Sequence, residues 1–126
     1  MNHQKETDLF YELLKQDYLK ARIFNMFTMH HRGIENAITI DDFMVKYRLE
    51  GRISRRSFRK FYSEEIPVAY VNTEEKKGLY WPAEPRDMKP IRDLRKKAMA
   101  MLVRIKRLED QHRELMEPEQ LEMREG

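Results

Sequence analysis

The sequence predicts a mostly helical α+β fold in which a short basic helix leads directly into a two-stranded β-hairpin. The helix covers residues 55–65, where aromatic and basic side chains separate onto opposite faces. The hairpin is expected from two β-prone runs, 68–71 and 79–81, which follow Pro67. A third observation is a heptad pattern of apolar residues after residue 87, which predicts a long C-terminal helix of the coiled-coil type.

Length and composition limit the possible functions. The 126 residues allow one compact domain with an appendage, which is too little chain for a large enzyme cleft between domains. The chain has no cysteine, which excludes disulfide bonds, thiol nucleophiles and thiolate zinc sites. Because no apolar stretch resembles a signal peptide or reaches the roughly 18 residues of a membrane span, we expect a cytoplasmic protein.

Charge is unevenly distributed along a chain whose net charge is only +3. Segment 46–60 contains seven basic residues against Glu50 alone, and segment 92–107 contains seven against Asp93. Segment 109–126 instead carries seven acidic residues and two basic ones. Two local basic surfaces and an acidic tail are therefore expected.

The N-terminal region predicts one long helix, from Thr7 as its N-cap to residue 31 or 32, before Gly33. Two apolar stripes run along this helix rather than one. We interpret residues 19–32 as the first helix of the domain. Residues 7–17 are then an extension whose leucines need another surface to cover them.

A second helix is expected at residues 40–47. Thr39 is its predicted N-cap, and Asp41 and Asp42 lie in the first turn, where carboxylates favour the positive end of the helix dipole. Residues 37–38 predict a short strand just before it. A turn containing a glycine then leads to the basic helix, which Ser54 is expected to cap.

The basic helix and the hairpin together predict a winged helix-turn-helix domain, in which the third helix enters the major groove and the hairpin forms the wing. Phe58, Phe61 and Tyr62 point inward, which leaves a basic strip facing solvent. A basic helix alone is more often a solvated face, but the loop 72–78, with its lysines at the tip, adds a second contact to the DNA backbone. The candidate DNA-binding residues are Arg55, Arg56, Ser57, Arg59, Lys60, Ser63, Lys76 and Lys77.

The last helix is expected to begin after Pro85, with Pro90 in its first turn, and to continue to Glu117. Its apolar positions form a seam that predicts packing against another helix. The partner is either the same helix of a second copy, which gives a homodimer, or the first helix of the same chain. The seam consists of Ile91, Leu94, Ala98, Met101, Ile105, Leu108, His112 and Leu115.

These patterns divide the chain into three predicted parts. Residues 1–86 are predicted to form the winged-helix domain with its N-terminal helical extension, and residues 87–117 the packing or dimerisation helix. Residues 118–126 contain too little apolar surface to fold and are expected to form a disordered acidic tail.

No catalytic, metal or cofactor site is indicated by the sequence. The adjacent pairs Asp41-Asp42, Glu64-Glu65 and Glu74-Glu75 point their side chains in different directions, and the four histidines lack the i, i+4 spacing of metal ligands. We therefore predict a protein that is not an enzyme and needs no cofactor. Tyr80 and Trp81 are expected to pack in the core against the last helix rather than stack on bases.

Four segments carry a family resemblance: ISRRSFRK at 53–60, EIPV at 65–68, KGLYWP at 77–82 and RKKA at 95–98. Over about residues 39–109 the chain resembles small winged-helix proteins encoded by phages and prophages, often described as replication or helix-turn-helix proteins. The turn before the basic helix and the first helix are longer than in that family. The resemblance implies DNA binding by Arg55, Arg56, Arg59 and Lys60.

Two functions are consistent with the sequence. The first is a non-catalytic double-stranded DNA-binding protein, encoded by a phage or mobile element, which acts in transcription regulation or as a replication accessory factor. The alternative is a protein-interaction module, such as an adaptor or inhibitor of a host nucleic-acid enzyme, which uses the C-terminal helix and the acidic tail.

Overall fold

The computed structural model describes residues 3–116, and the chain divides between Ile91 and Arg92 into two compact units. The predicted mostly helical fold with a small β-hairpin and a long C-terminal helix is confirmed. Short 3-10 helices occupy Ile34–Asn36 and Pro85–Met88. The main elements are α1 (His3–Gln16), α2 (Tyr18–His30), α3 (Ile40–Lys46), α4 (Arg55–Glu64), β1 (Ala69–Asn72), β2 (Lys77–Tyr80) and α5 (Lys89–Leu115).

The N-terminal region forms two helices, so the prediction of one long helix is wrong. Asp17 has an extended backbone, and its carboxylate accepts a hydrogen bond from the Leu19 amide at 2.8 Å, which caps α2. Thr7 is not a cap, because it lies inside α1 and donates its hydroxyl to the His3 carbonyl oxygen at 3.0 Å. Since α1 packs against α2 and buries Leu13 in the core, the same domain covers the extension.

Glu6 ties α1 to the rest of the first unit. Its two carboxylate oxygens accept hydrogen bonds from the Arg32 guanidinium at 3.1 and 2.7 Å, and Oε1 also accepts from the Trp81 indole at 3.1 Å. The hydrogen bonds from Arg32 hold the pKa of Glu6 below its ordinary value, against the opposing effect of burial. This contact therefore stabilises the docking of α1 above the unfolded pKa of Glu6 and is lost as the pH falls through its lowered folded value.

A stack of three phenylalanines joins the central helices. Phe27 of α2 lies 4.4 Å from Phe43 of α3, and Phe43 lies 5.2 Å from Phe58 of α4, measured between ring centroids. All three side chains are fully buried. Burial of each ring contributes on the order of 2 kcal/mol, and the near-parallel stacking fixes the direction of α4 against the two helices behind it.

The sheet consists of the hairpin, and two isolated bridges adjoin it, one between Ile38 and Leu79 and one between Arg32 and Trp81. β1 and β2 pair antiparallel along their whole length, with Asn72 opposite Lys77. Ile38 and Leu79 exchange backbone hydrogen bonds of 2.9 and 2.7 Å. Within the described residues, the strand predicted at 37–38 is therefore reduced to this single position.

The two faces of the sheet pack against different clusters. Leu79 and Trp81 belong to the main helical core, where Trp81 contacts Phe24 edge-on at 5.3 Å. The expected packing of Trp81 against the last helix is therefore wrong, because alternation along the strand turns it to the opposite face. Tyr80 does share a cluster with Ile91, in the first turn of α5.

Asp87 fixes the loop that follows β2. Its fully buried carboxylate accepts hydrogen bonds from the amides of Ile34, Ala83 and Glu84 at 3.2, 2.9 and 2.9 Å. Burial by itself raises the pKa of Asp87, but the three amides hold it below its ordinary value. Tyr80 donates its hydroxyl to the Asp87 carbonyl oxygen at 2.6 Å, which attaches the same loop to the hairpin.

Helix α5 buries none of its side chains, although a seam for packing was predicted. Ile91 is half-buried within the first unit, whereas all seam residues from Leu94 to Leu115 are exposed. Glu117 and the predicted acidic tail at 118–126 lie outside the described residues. No helix among residues 3–116 is both long enough and apolar enough to cross a membrane.

Candidate nucleic-acid interface

The start of α4 is set by Ser54, whose predicted role as N-cap is confirmed. Its hydroxyl oxygen accepts a hydrogen bond from the Ser57 amide at 3.1 Å and donates to the Ser57 hydroxyl at 3.0 Å. The helix ends at Glu64, three residues before Pro67. Phe58 and Phe61 are buried on one face, so the opposite face is held toward solvent.

Three cations lie on the solvent face of α4. Arg56, Arg59 and Lys60 are exposed, and none of them forms an ion pair with any of residues 3–116. Arg55 differs, because its guanidinium is paired with the carboxylate of Asp41 in the first turn of α3. The structure therefore brings together all four predicted cations of this helix but leaves three of them available to an external anion.

The two serines predicted at this face are engaged within the helix. Ser57 completes the cap described above. Ser63 donates its hydroxyl to the Arg59 carbonyl oxygen at 2.7 Å, which occupies its only donor. Both side chains are exposed. Ser63 therefore has no free proton to offer a phosphate, whereas the Ser57 hydroxyl oxygen only accepts from Ser54 and keeps its own proton available.

The turn between α3 and α4 adds two cations that were not chosen from the sequence as site residues. Arg48 adopts a left-handed backbone conformation (φ 54°), and Gly51 follows with φ 80°. Arg48 and Arg52 are exposed, while Leu49 between them is fully buried and anchors the turn. The excess of basic residues in segment 46–60 was the available signal for these two arginines, and the structure shows that both side chains are exposed in this turn.

The hairpin turn is shorter than predicted, and its tip is acidic. The strands extend to Asn72 and Lys77, so the predicted loop 72–78 contracts to residues 73–76. Thr73 closes the turn by accepting a hydrogen bond from the Lys76 amide at 3.0 Å on its hydroxyl. The expectation that both lysines lie at the tip is wrong, because the tip residues are Glu74 and Glu75. Lys77 is an exposed strand residue, and Lys76 is half-buried.

A buried histidine fixes the packing of α3 behind the interface. His31 Nδ1 lies 2.9 Å from the Asn36 carbonyl oxygen, which only accepts hydrogen bonds, so Nδ1 carries the proton. Nε2 then accepts from the Tyr47 hydroxyl at 2.6 Å. Burial lowers the pKa of His31, and the charges of Lys46 and His30 act in the same direction. The geometry thus favours neutral imidazole.

The second basic segment, residues 92–107, differs from α4 in its surroundings. Arg95, Lys96 and Lys97 project from α5, where the apolar seam is exposed together with the cations. Within residues 3–116, no group of three or more His, Asp or Glu side chains is arranged to hold a metal ion. Within the described residues, α4 is therefore the element on which exposed cations and hydrogen-bond acceptors are most concentrated.

Comparison with known proteins adds no further constraint. No protein-family model, no curated protein sequence and no solved structure matches this chain.

Proposed function

We propose that this chain is a non-catalytic protein that binds double-stranded DNA through a winged helix-turn-helix domain. In this proposal α4 is the recognition helix and the β1-β2 hairpin is the wing. The order of α2, the Ile38 bridge, α3, α4 and the hairpin agrees with that architecture. The observation that carries the proposal is the set of three unpaired cations on a helix whose other face is locked into the core.

The dimensions and charges of α4 suit the major groove. An α-helix with its side chains is about 10–12 Å across, close to the roughly 12 Å width of the groove in B-form DNA. Arginine can donate to two acceptors on the edge of guanine, so Arg56 and Arg59 are the candidates for base contacts. Lys60 is better suited to phosphate, since its ammonium acts as a compact and mobile charge.

The hairpin contributes less positive charge than the sequence suggested. Glu74 and Glu75 offset the two lysines, and carboxylates at the tip would be repelled by phosphate. We therefore propose that Lys77, on the strand, makes the wing contact and that the tip stays outside the minor groove. Arg48 and Arg52, which are exposed in the turn just before α4, add to the positive charge of this segment.

The biological role proposed is transcription regulation or replication support. This role is the one that the expected resemblance of segment 39–109 to phage-encoded winged-helix proteins implies, and the resemblance is itself part of the proposal. The alternative is a protein-interaction module that engages a host nucleic-acid enzyme, and the exposed seam of α5 is the observation that favours it. The two proposals differ in whether the isolated protein binds DNA.

Fluorescence anisotropy with a mixed-sequence duplex tests the proposal. Replacement of Arg56, Arg59 and Lys60 by glutamine should weaken binding by at least about tenfold and reduce the dependence of affinity on salt, because fewer counterions are released. A matched control replaces Arg92, Lys96 and Lys106 by glutamine, which removes the same charge from α5. The control should retain most of the affinity.

Three outcomes would contradict this assignment. Equal losses in both variants would indicate binding governed by net charge, and a larger loss in the α5 control would move the interface to the last helix. If the unaltered protein binds no duplex at low salt, the protein-interaction alternative replaces DNA binding.

A further inference from the structure

The apolar seam of α5 is exposed in the single chain. We use "α5 seam" for the positions Leu94, Ala98, Met101, Ile105, Leu108, His112 and Leu115. Leu94 is 67%, Ile105 42% and Leu115 81% exposed. Such a continuous apolar strip on a long helix is stabilised when a second surface covers it, because most helix stability in water comes from packing.

The spacing of the α5 seam identifies the kind of surface that would cover it. The positions alternate by four and three residues, which is the pattern of a left-handed coiled coil. The helical partner must therefore present the same repeat over about 33 Å, the length of roughly 22 helical residues. A second copy of α5 has this repeat.

We propose that α5 mediates self-association by antiparallel pairing with a second copy of itself, with the two-fold axis crossing the seam at the level of residue 103. This proposal is independent of DNA binding. Rotation about that position brings Leu94 opposite His112, Ala98 opposite Leu108 and Met101 opposite Ile105. Ala98, which is small, and His112, which is polar, then each face a leucine, and this lets the two seams interdigitate.

The charges beside the seam favour the antiparallel direction. Segment 92–97 carries four basic residues and one acidic residue, whereas segment 109–114 carries three acidic residues and one basic residue. Antiparallel pairing sets these oppositely charged ends together twice in the dimer and brings Arg95 close to Glu109 of the other copy. Parallel pairing would instead place the two basic segments side by side.

One residue opposes the antiparallel arrangement. Arg104 lies next to the axis and would approach its own copy, whereas a parallel pair would bring it near Glu109 of the other copy. The long guanidinium side chain can extend away from the axis into solvent while its methylene groups cover the seam. We therefore expect the two attractive end contacts to outweigh the single repulsive one.

Molar mass in solution tests self-association with the full chain and without DNA. Sedimentation equilibrium over a dilution series should give a mass approaching 31 kDa, twice the 15.5 kDa of one chain. Ile105→Glu should return the protein to a monomer, because it buries a carboxylate in the seam. Val103→Glu is the matched control, since it changes an exposed β-branched residue on the opposite side of the same helix and should remain dimeric.

Cysteine cross-linking tests the direction, and the absence of natural cysteine makes each introduced thiol unique. A mixture of Leu94→Cys and His112→Cys proteins should form the mixed disulfide on mild oxidation, while each protein alone should remain mostly uncross-linked. Efficient cross-linking of Leu94→Cys with itself would indicate a parallel pair and overturn the proposed direction. A monomer throughout the dilution series, or equal effects of the two glutamate substitutions, would overturn self-association through this seam.

Discussion

His31 is buried and has a defined hydrogen-bonding state. Its Nδ1 proton is directed to a backbone carbonyl oxygen, and its Nε2 accepts from the Tyr47 hydroxyl. A second proton on the ring would place a charge beside Lys46 in a site shielded from water. The side chain is therefore a stabilising contact only while it is neutral.

This arrangement predicts a loss of stability in mildly acidic solution. Since the folded pKa of His31 lies below its unfolded value of about 6.5, the unfolded chain binds the proton first as the pH falls. The stabilisation is present above that value and decreases as the pH drops toward the folded pKa. Thermal unfolding midpoints should therefore fall between about pH 7.5 and about pH 5.5, above the range in which carboxylates such as Glu6 titrate.

Two substitutions isolate the contribution of His31 to this pH dependence. His31→Gln should flatten the midpoint over this range, although the protein is less stable at neutral pH because the ring contacts are lost. His30→Gln changes the exposed neighbour and should retain the fall. Identical pH profiles for the two variants would show that another group is responsible.

At the scale of the elements, the hairpin depends on a glycine for its contact with Ile38. A Cβ atom at Gly78 would lie 2.4 Å from the Ile38 carbonyl carbon, and the backbone has φ 138°. We expect Gly78→Ala to lower the free energy of unfolding by clearly more than about 1 kcal/mol, the usual cost of a strained backbone conformation alone. Gly51→Ala is the control, because φ is 80° there but nothing lies within 4 Å of the added atom. Chemical denaturation that gives equal losses for both variants would show that the contact with Ile38 does not constrain the hairpin.

The sequence correctly predicted those features, such as helix caps, that depend only on neighbouring residues. Thr39 and Ser54 were recognisable as caps because each precedes an amphipathic segment, and both accept the expected amide hydrogen bonds. Asp17 was missed because the helical periodicity continues on both sides of it, so only the packing of α1 on α2 reveals the break. The Asp41 contact to Arg55 was equally hidden, since it joins residues on two different helices.

At the scale of the whole molecule, the two basic segments, residues 46–60 and 92–107, carry equal charge but differ in what surrounds them. The cations of α4 lie on a helix whose aromatic face is buried, so their positions are fixed before any partner arrives. Those of α5 flank a seam that is itself exposed. Composition could predict both stretches as interaction surfaces, but only the burial of Phe58 and Phe61 distinguishes cations on a helix packed into the core from cations beside an exposed seam.

Amide chemical-shift mapping during titration with a mixed-sequence duplex tests whether α4 is the DNA-binding helix. The largest shifts are expected in residues 48–64, with smaller shifts around Lys77 and little change in the exposed part of α1 near Glu12. Salt should reverse these shifts, because the contacts are largely electrostatic. Shifts centred on residues 92–107, or none at low salt, would contradict the assignment of α4 as the DNA-binding helix.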